Sequence, residues 1–161
     1  HPIVLPPAGG RRALGAVDRL LAQGVTPDDA PSEDLSEALI RVRGLTREPG
    51  LVIVASDLRD QSPWSRAMRL LIASGQQVVA VEILDPRELE LPDGGVLSLV
   101  DPETGELVEV DTRSNRLRHA FAGAEAQRRE QVATDLRRIG ARHAVVRTDG
   151  DWLRDLGSHL A

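Results

Sequence analysis

The 161-residue chain contains no cysteine, no lysine and no tyrosine, and its aromatic content is 2%. Without cysteine it can have no disulfide framework, zinc–thiolate site or cysteine nucleophile. Without lysine, Schiff-base chemistry and a phosphate-binding P-loop amine are excluded. One Phe and two Trp all but exclude a platform for stacking bases or sugars, so the core must be built from Leu, Val, Ile and Ala. A formal charge of −5 gives a nucleic-acid role no electrostatic support. No apolar run approaches the length of a bilayer span, and no signal peptide opens the chain. The length suits one domain with a real core. The first residue is His rather than Met, which suggests a piece of a longer protein.

The chain is organised around Leu51-Val52-Ile53-Val54-Ala55-Ser56-Asp57. A short, unbroken apolar run after Gly50, closing on a hydroxyl and a carboxylate, is expected to be a strand buried on both faces. In an open parallel sheet the carboxyl end of such a strand faces the crevice where ligands sit. Asp57 therefore either binds something or only makes local hydrogen bonds, as a helix cap would.

Before this strand, His1 to Pro7 is a short apolar run fenced by prolines, an edge strand or no strand. Arg11 to Gln23 has helical spacing at Leu14, Val17, Leu20 and Leu21. A second helix opens at Ser32–Leu35, with Ser32 as its cap and Leu35, Ala38, Leu39 and Val42 inward. After Asp57, Ser62-Pro63 starts a helix that runs to about Ser74, with Met68, Leu71 and Ile72 inward and Gly75 at its end. Gln77–Leu84 is the next strand, and it too closes on a carboxylate, Asp85. Arg87 to Gly95 is a polar loop carrying Glu88, Glu90 and Asp93. Val96–Val100 and Glu106–Val110 flank Asp101–Gly105 as a β-hairpin with one wet face. Ser114 or Asn115 caps a long helix to Ile139, ended by Gly140. Its Arg128-Arg129-Glu130 and Arg137-Arg138 charges read as a solvated face. His143–Thr148 is a third strand, Asp149-Gly150 a turn, and Asp151 caps a last helix through Leu160. Trp64 and Trp152, both at helix starts, are expected to pack. Alternating strands and helices imply an α/β, mostly parallel sheet with helices on both faces. A strand as apolar as Leu51–Ala55 should not be an edge, so neighbouring strands are expected beyond those seen in the chain.

The chain then carries a distinctive ordered set of segments: Leu5–Arg12, Asp34-Leu35 with Ala38-Leu39, Val54–Asp57, Asp85-Pro86-Arg87-Glu88 with Leu91-Pro92, Asp101-Pro102-Glu103-Thr104-Gly105, and Val110-Asp111-Thr112. This set resembles the bacterial family catalogued as domain of unknown function 58, whose C-terminal part looks like a von Willebrand factor type A domain. The resemblance implies one partial type A-like domain over residues 1–161. Its sheet would be Rossmann-like with a β-hairpin insertion, and its first strands would be missing. It also implies a metal-ion-dependent adhesion site at the sheet's carboxyl end, where an Asp-x-Ser-x-Ser loop, a Thr and an Asp hold Mg²⁺. Asp57 falls where the last Asp is expected. Glu33, with Ser32 beside it, stands where the Thr is expected, and the Asp-x-Ser-x-Ser strand would lie before His1. The site is thus degenerate here: Mg²⁺ is conceivable in the intact parent and none is expected for this chain alone.

No Ser–His–Asp grouping can be assembled, and the four histidines share no ligand spacing. The expectation is a non-enzymatic protein-interaction domain that works with a MoxR-type AAA+ ATPase or its client in assembly or maturation of complexes. Its contacts would be Ser56, Asp57, Asp85, Glu88 and Asp93. No nucleic-acid partner and no membrane insertion of this segment are expected. A homodimer through the Leu51–Ala55 edge and a cytoplasmic location are, with anchoring segments, if any, outside this chain. Two alternatives stand beside it. One is a phospho-receiver or metal-dependent enzyme using Asp57, although a receiver would want a lysine. The other is a ligand-free scaffold.

Overall fold

The computed structural model describes residue 5 and residues 10–22, 34–46, 48–100 and 107–160. The chain divides into two compact units, His1–Glu33 and Asp34–Ala161. In the first unit, helix α1 spans Gly10–Leu21, where the helical spacing places it. The proline-fenced segment apart from Leu5, Ser32 and the hairpin turn over 101–105 lie outside the described residues.

The second unit runs α2 (Leu35–Leu45), β1 (Leu51–Ser56), α3 (Trp64–Ala73), β2 (Gln77–Leu84), a 3-10 turn (Pro86–Glu88), β3 (Val96–Val100), β4 (Leu107–Asp111), α4 (Asn115–Ile139), β5 (Arg142–Arg147) and α5 (Trp152–Leu160). Strands β1, β2 and β5 form a parallel sheet in the order β1-β2-β5. Strands β3 and β4 pair antiparallel as a separate hairpin, inserted between β2 and α4. This is the mixed α/β arrangement that the alternation implies, with the Rossmann-like sheet that the resemblance implies.

Successive right-handed crossovers that step in one direction put their helices on the same face. Accordingly α3 and α4 share a face. There Leu39, Val54, Leu58, Trp64, Met68, Leu71, Val78, Ala80, Val132 and Leu136 form the main core. The opposite face has a smaller cluster of Val79, Val81, Ala144 and Val146 packed against Leu156 of α5. Helices thus lie on both faces, but unequally.

That asymmetry corrects the reading of β1. It is an edge strand of this sheet, not a strand buried on both faces. Val54 points into the core, whereas Leu51 and Ile53 are 58% and 57% exposed on the face that α3 and α4 do not cover. The strand buried on both faces is β2, which has both neighbours. Trp64 is in the core as expected, but Trp152 is 57% exposed.

Local signals shift by a residue or two. Asp34, not Ser32, sits at the N-cap of α2 and accepts from the Ser36 and Glu37 amides. Pro63, not Ser62, is the N-cap of α3, with no side-chain cap bond; Ser62 Oγ instead accepts from Ser36 N. Ser114 caps α4 through Leu117 N, and Gly140 ends it in the left-handed region at φ 80°, where a Cβ would be strained. The hairpin is wetter than expected, with Leu107, Val108 and Glu109 all exposed. No helix among the described residues is long and apolar enough to cross a membrane.

Candidate functional site

The carboxyl ends of the parallel strands gather the residues singled out from the sequence. At the end of β1, Leu58 N donates to Ser56 Oγ (3.1 Å) and Arg59 N to Asp57 Oδ1 (3.1 Å). These bonds curl the chain into a tight turn that leaves the Asp57 carboxylate exposed. Leu58 at its centre has φ 54°, a left-handed leucine, yet its side chain is buried in the main core. A left-handed non-glycine residue costs about 1–2 kcal/mol, which core burial of a leucine offsets. Leu58→Ala keeps the strain and loses the burial, whereas Leu58→Gly loses the burial and relieves the strain. The glycine variant is therefore expected to be the more stable of the two by about 1 kcal/mol, the reverse of the usual order, as read by urea denaturation. The usual order, alanine above glycine, would refute the strained turn.

At the end of β2, Asp85 accepts from Arg87 N (2.9 Å) and starts the Pro86–Glu88 turn. Glu88 lies 3.2 Å from Arg59 Nε, which joins the second loop to the first. Asp93 pairs instead with Arg118 of α4 at 3.4 Å. At the end of β5, Arg147 donates twice to Asp149, at 2.9 and 3.1 Å. The guanidinium holds the Asp149 carboxyl below its ordinary range in the turn expected there.

Asp57 caps no helix. In this loop the carboxylate that meets a helix end is Asp60, which accepts from Leu35 N and Ser62 N at 2.6 Å each. Burial pushes the Asp60 carboxyl up, but the Leu35 amide and the Ser62 hydroxyl and amide outweigh it and hold it below its ordinary value. Asp60 thus joins Asp34 at the α2 N-terminus and ties that helix to the loop after β1.

The largest departure from the sequence reading is the α4 charge. Arg128 and Arg129 do not belong to a solvated face. Below the loops, Glu82 of β2 is 1% exposed. His143 Nε2 donates to its Oε2 at 2.9 Å, while Arg129 Nε and Arg128 Nη2 lie 3.5 and 3.8 Å from its Oε1. Among the described residues, Glu82 Oε1 and Arg129 Nε have no hydrogen-bond partner, so that contact is purely coulombic. Glu125, also on α4 and buried, receives Arg59 Nη1 on Oε2 (3.1 Å) and Arg128 Nε on Oε1 (2.9 Å). Arg128 Nη1 then donates to the Leu58 carbonyl at 3.3 Å. The solvated-face reading does hold for Arg137 with Glu130 and Arg138 with Asp135, which are exposed pairs.

An octahedral Mg²⁺ site built from protein groups needs several converging oxygens. Among the described residues no three His, Cys, Asp or Glu side chains lie close enough together to hold a metal ion. Asp57, with Ser56, offers only part of such a set. Ser32 lies outside the described residues. The residues described do not by themselves fit the metal.

The sheet face that carries Ile53 and Ile83 is open. An apolar groove of about 410 Å³ runs there, lined by Ile53, Ala55, Val81, Ile83, Trp152 and Leu156 among others.

Comparison with known proteins is consistent with the segments that prompted the family resemblance. An uncharacterized protein of Mycobacterium avium is 36% identical over 152 residues, covering 94% of this chain and 89% of that protein. Uncharacterized proteins of Mycobacterium bovis and Mycobacterium tuberculosis are each 37% identical over 160 residues, covering 98% of this chain and 49% of theirs. The chain therefore spans about half the length of the latter relatives. No solved structure matches it. Residues 2–131 match the family described as Protein of unknown function DUF58, and the chain belongs to that family.

Proposed function

We propose that this chain is a non-enzymatic protein-interaction domain. Its docking surface is the carboxyl edge of the sheet, at Ser56, Asp57, Asp85, Glu88 and Asp93, together with the open face beside it. One observation carries the reading: exposed apolar side chains of β1, β2 and α5 (Ile53, Ile83 and Trp152) surround a groove that reaches Ala55, two residues before Asp57. Contiguous apolar surface on a soluble fold marks a place where another chain packs. Turns already fixed by hydrogen bonds lower the ordering cost of binding there.

The partner class is a MoxR-type AAA+ ATPase or its client, in a von Willebrand factor type A-like role within the cytoplasm. Mg²⁺ would enter only in a longer parent that supplies the remaining ligands to Asp57. The free edge of β1 also suits pairing with a strand of a second copy, since an apolar edge without Lys, Pro or a bulge invites pairing.

The test is calorimetric titration of the chain with a MoxR-type ATPase from the same organism, with sedimentation of the chain alone separating self-association from partner binding. Asp57→Ala and Glu88→Ala are each expected to weaken binding about tenfold, or 1.4 kcal/mol. No binding, or binding indifferent to both changes, would overturn the interaction reading. Phosphorylation of Asp57 by a small phosphodonor would replace it with the receiver reading.

A further inference from the structure

We propose that Glu125 is the positioning residue of the carboxyl edge, and that it makes the Asp57 turn and the Pro86–Glu88 turn one mechanical unit. The inference rests on the proposed docking surface for its functional meaning and on the following geometry for its substance. Neither turn is anchored to α4 by its own carboxylate. The link is Arg59, whose guanidinium meets both Glu125 oxygens at 3.1 Å each while its Nε meets Glu88 at 3.2 Å. Arg59 directly follows the left-handed Leu58, so holding its side chain holds the turn.

Glu125 acts on the same turn a second time through Arg128. It fixes that guanidinium from Nε and Nη2 at 2.9 and 2.7 Å, and Arg128 spends its remaining Nη1 on the Leu58 carbonyl. One buried carboxylate thus controls two arginines, one bonded to the Leu58 carbonyl and one next to Leu58 in the chain, and the latter reaches across to the second loop. Charged hydrogen bonds, here bidentate in the Arg59–Glu125 pair, are short, directional and costly to break one at a time. Displacing either turn must therefore disturb the other.

The experiment is amide hydrogen exchange on the full chain and its variants, with no partner present, so a failure here leaves the docking reading standing and a failure of docking leaves this one standing. The reporters are Leu58 and Arg59 in the first turn, Glu88 and Leu89 in the second, and Ala80 and Val81 inside β2 as the reference. In Glu125→Gln both pairs are expected to exchange about tenfold faster while the reference amides hold. In Glu88→Gln only the second pair speeds up, because Arg59 keeps its grip on Glu125. In the double variant the second pair exchanges no faster than in Glu125→Gln alone. Glu125→Asp, which keeps the charge and shortens the reach, gives the same pattern at smaller amplitude if the glutamine variant does not fold. In Glu125→Gln, acceleration confined to one turn or equal acceleration of the β2 amides would overturn the coupling, as would an additive double variant.

Discussion

Glu82→Gln is expected to destabilise the 34–161 unit by about 2–4 kcal/mol at neutral pH, by the cost of breaking a buried ion pair, reduced because its arginine partners are partly exposed. The carboxylate pairs with His143 at 2.9 Å and lies 3.5 Å from Arg129, and Arg128 reaches it as well. An amide there can still accept from His143 but cannot balance the guanidinium groups.

The same site fixes a pH dependence. Burial pushes the Glu82 carboxyl up. The His143 hydrogen bond and the charges of Arg129, His143 and Arg128 together outweigh it, leaving the group below its ordinary value of 4.5. A carboxyl lowered by folding stabilises the fold when ionised. That contribution is complete above 4.5 and is lost as the pH falls from there through the lower folded value. Denaturation curves from pH 7 to 3 should show the wild type losing ground on Glu82→Gln across this window. Parallel curves would show that Glu82 carries no net charge stabilisation.

Leu71→Ala is expected to cost about 3 kcal/mol, the middle of the range for a buried leucine truncated to alanine. In a unit of this size that lowers the melting temperature by roughly 10 °C. Leu71 is 0% exposed and belongs to the main core with the equally buried Met68 and Leu136. Ile53→Ala is the matched control. Its side chain is as large, but it lies on the open outer face, where a truncation is expected to cost under about 0.5 kcal/mol. Calorimetry of the two variants measures the asymmetry of the sheet directly. An Ile53→Ala cost as large as that of Leu71→Ala would mean that the outer face is covered in solution.

Element by element, the regular structure was legible because its signals are local. The apolar run of Gln77–Leu84 ends where the strand ends. Ser114 and Gly140 bracket α4 as a cap and a stop should. Met68 and Leu71 on α3 recur at helical spacing and are buried. The role of β1 was not legible. An apolar run shows that a strand is wanted by a core, not how many neighbours it has, and only the order β1-β2-β5 made it an edge.

The charged cluster is the more instructive miss. Glu82 in Gln77-Val78-Val79-Ala80-Val81-Glu82-Ile83-Leu84 was the available signal, since a carboxylate inside a buried strand requires a partner. The sequence contains twenty cationic residues that could have answered it. Its partners come from 46, 47 and 61 residues away, and nothing in the run Arg128-Arg129-Glu130 distinguishes a buried arginine from a solvated one. Asp57 was found because strand ends are readable. Arg59 and Glu125, which fix its turn, were not, because their pairing spans 66 residues.

The sequence by itself determined which segments are helices and strands, that the sheet is parallel, and which chemistries the absent residue types rule out, because propensity, periodicity and composition act over a few residues. Only the tertiary structure decided which strand is the edge, which face stays open beside Asp57, and which of the many arginines are held by Glu82 and Glu125. Those depend on strand order and on the handed crossovers that set α4 against β2, and no local pattern encodes them.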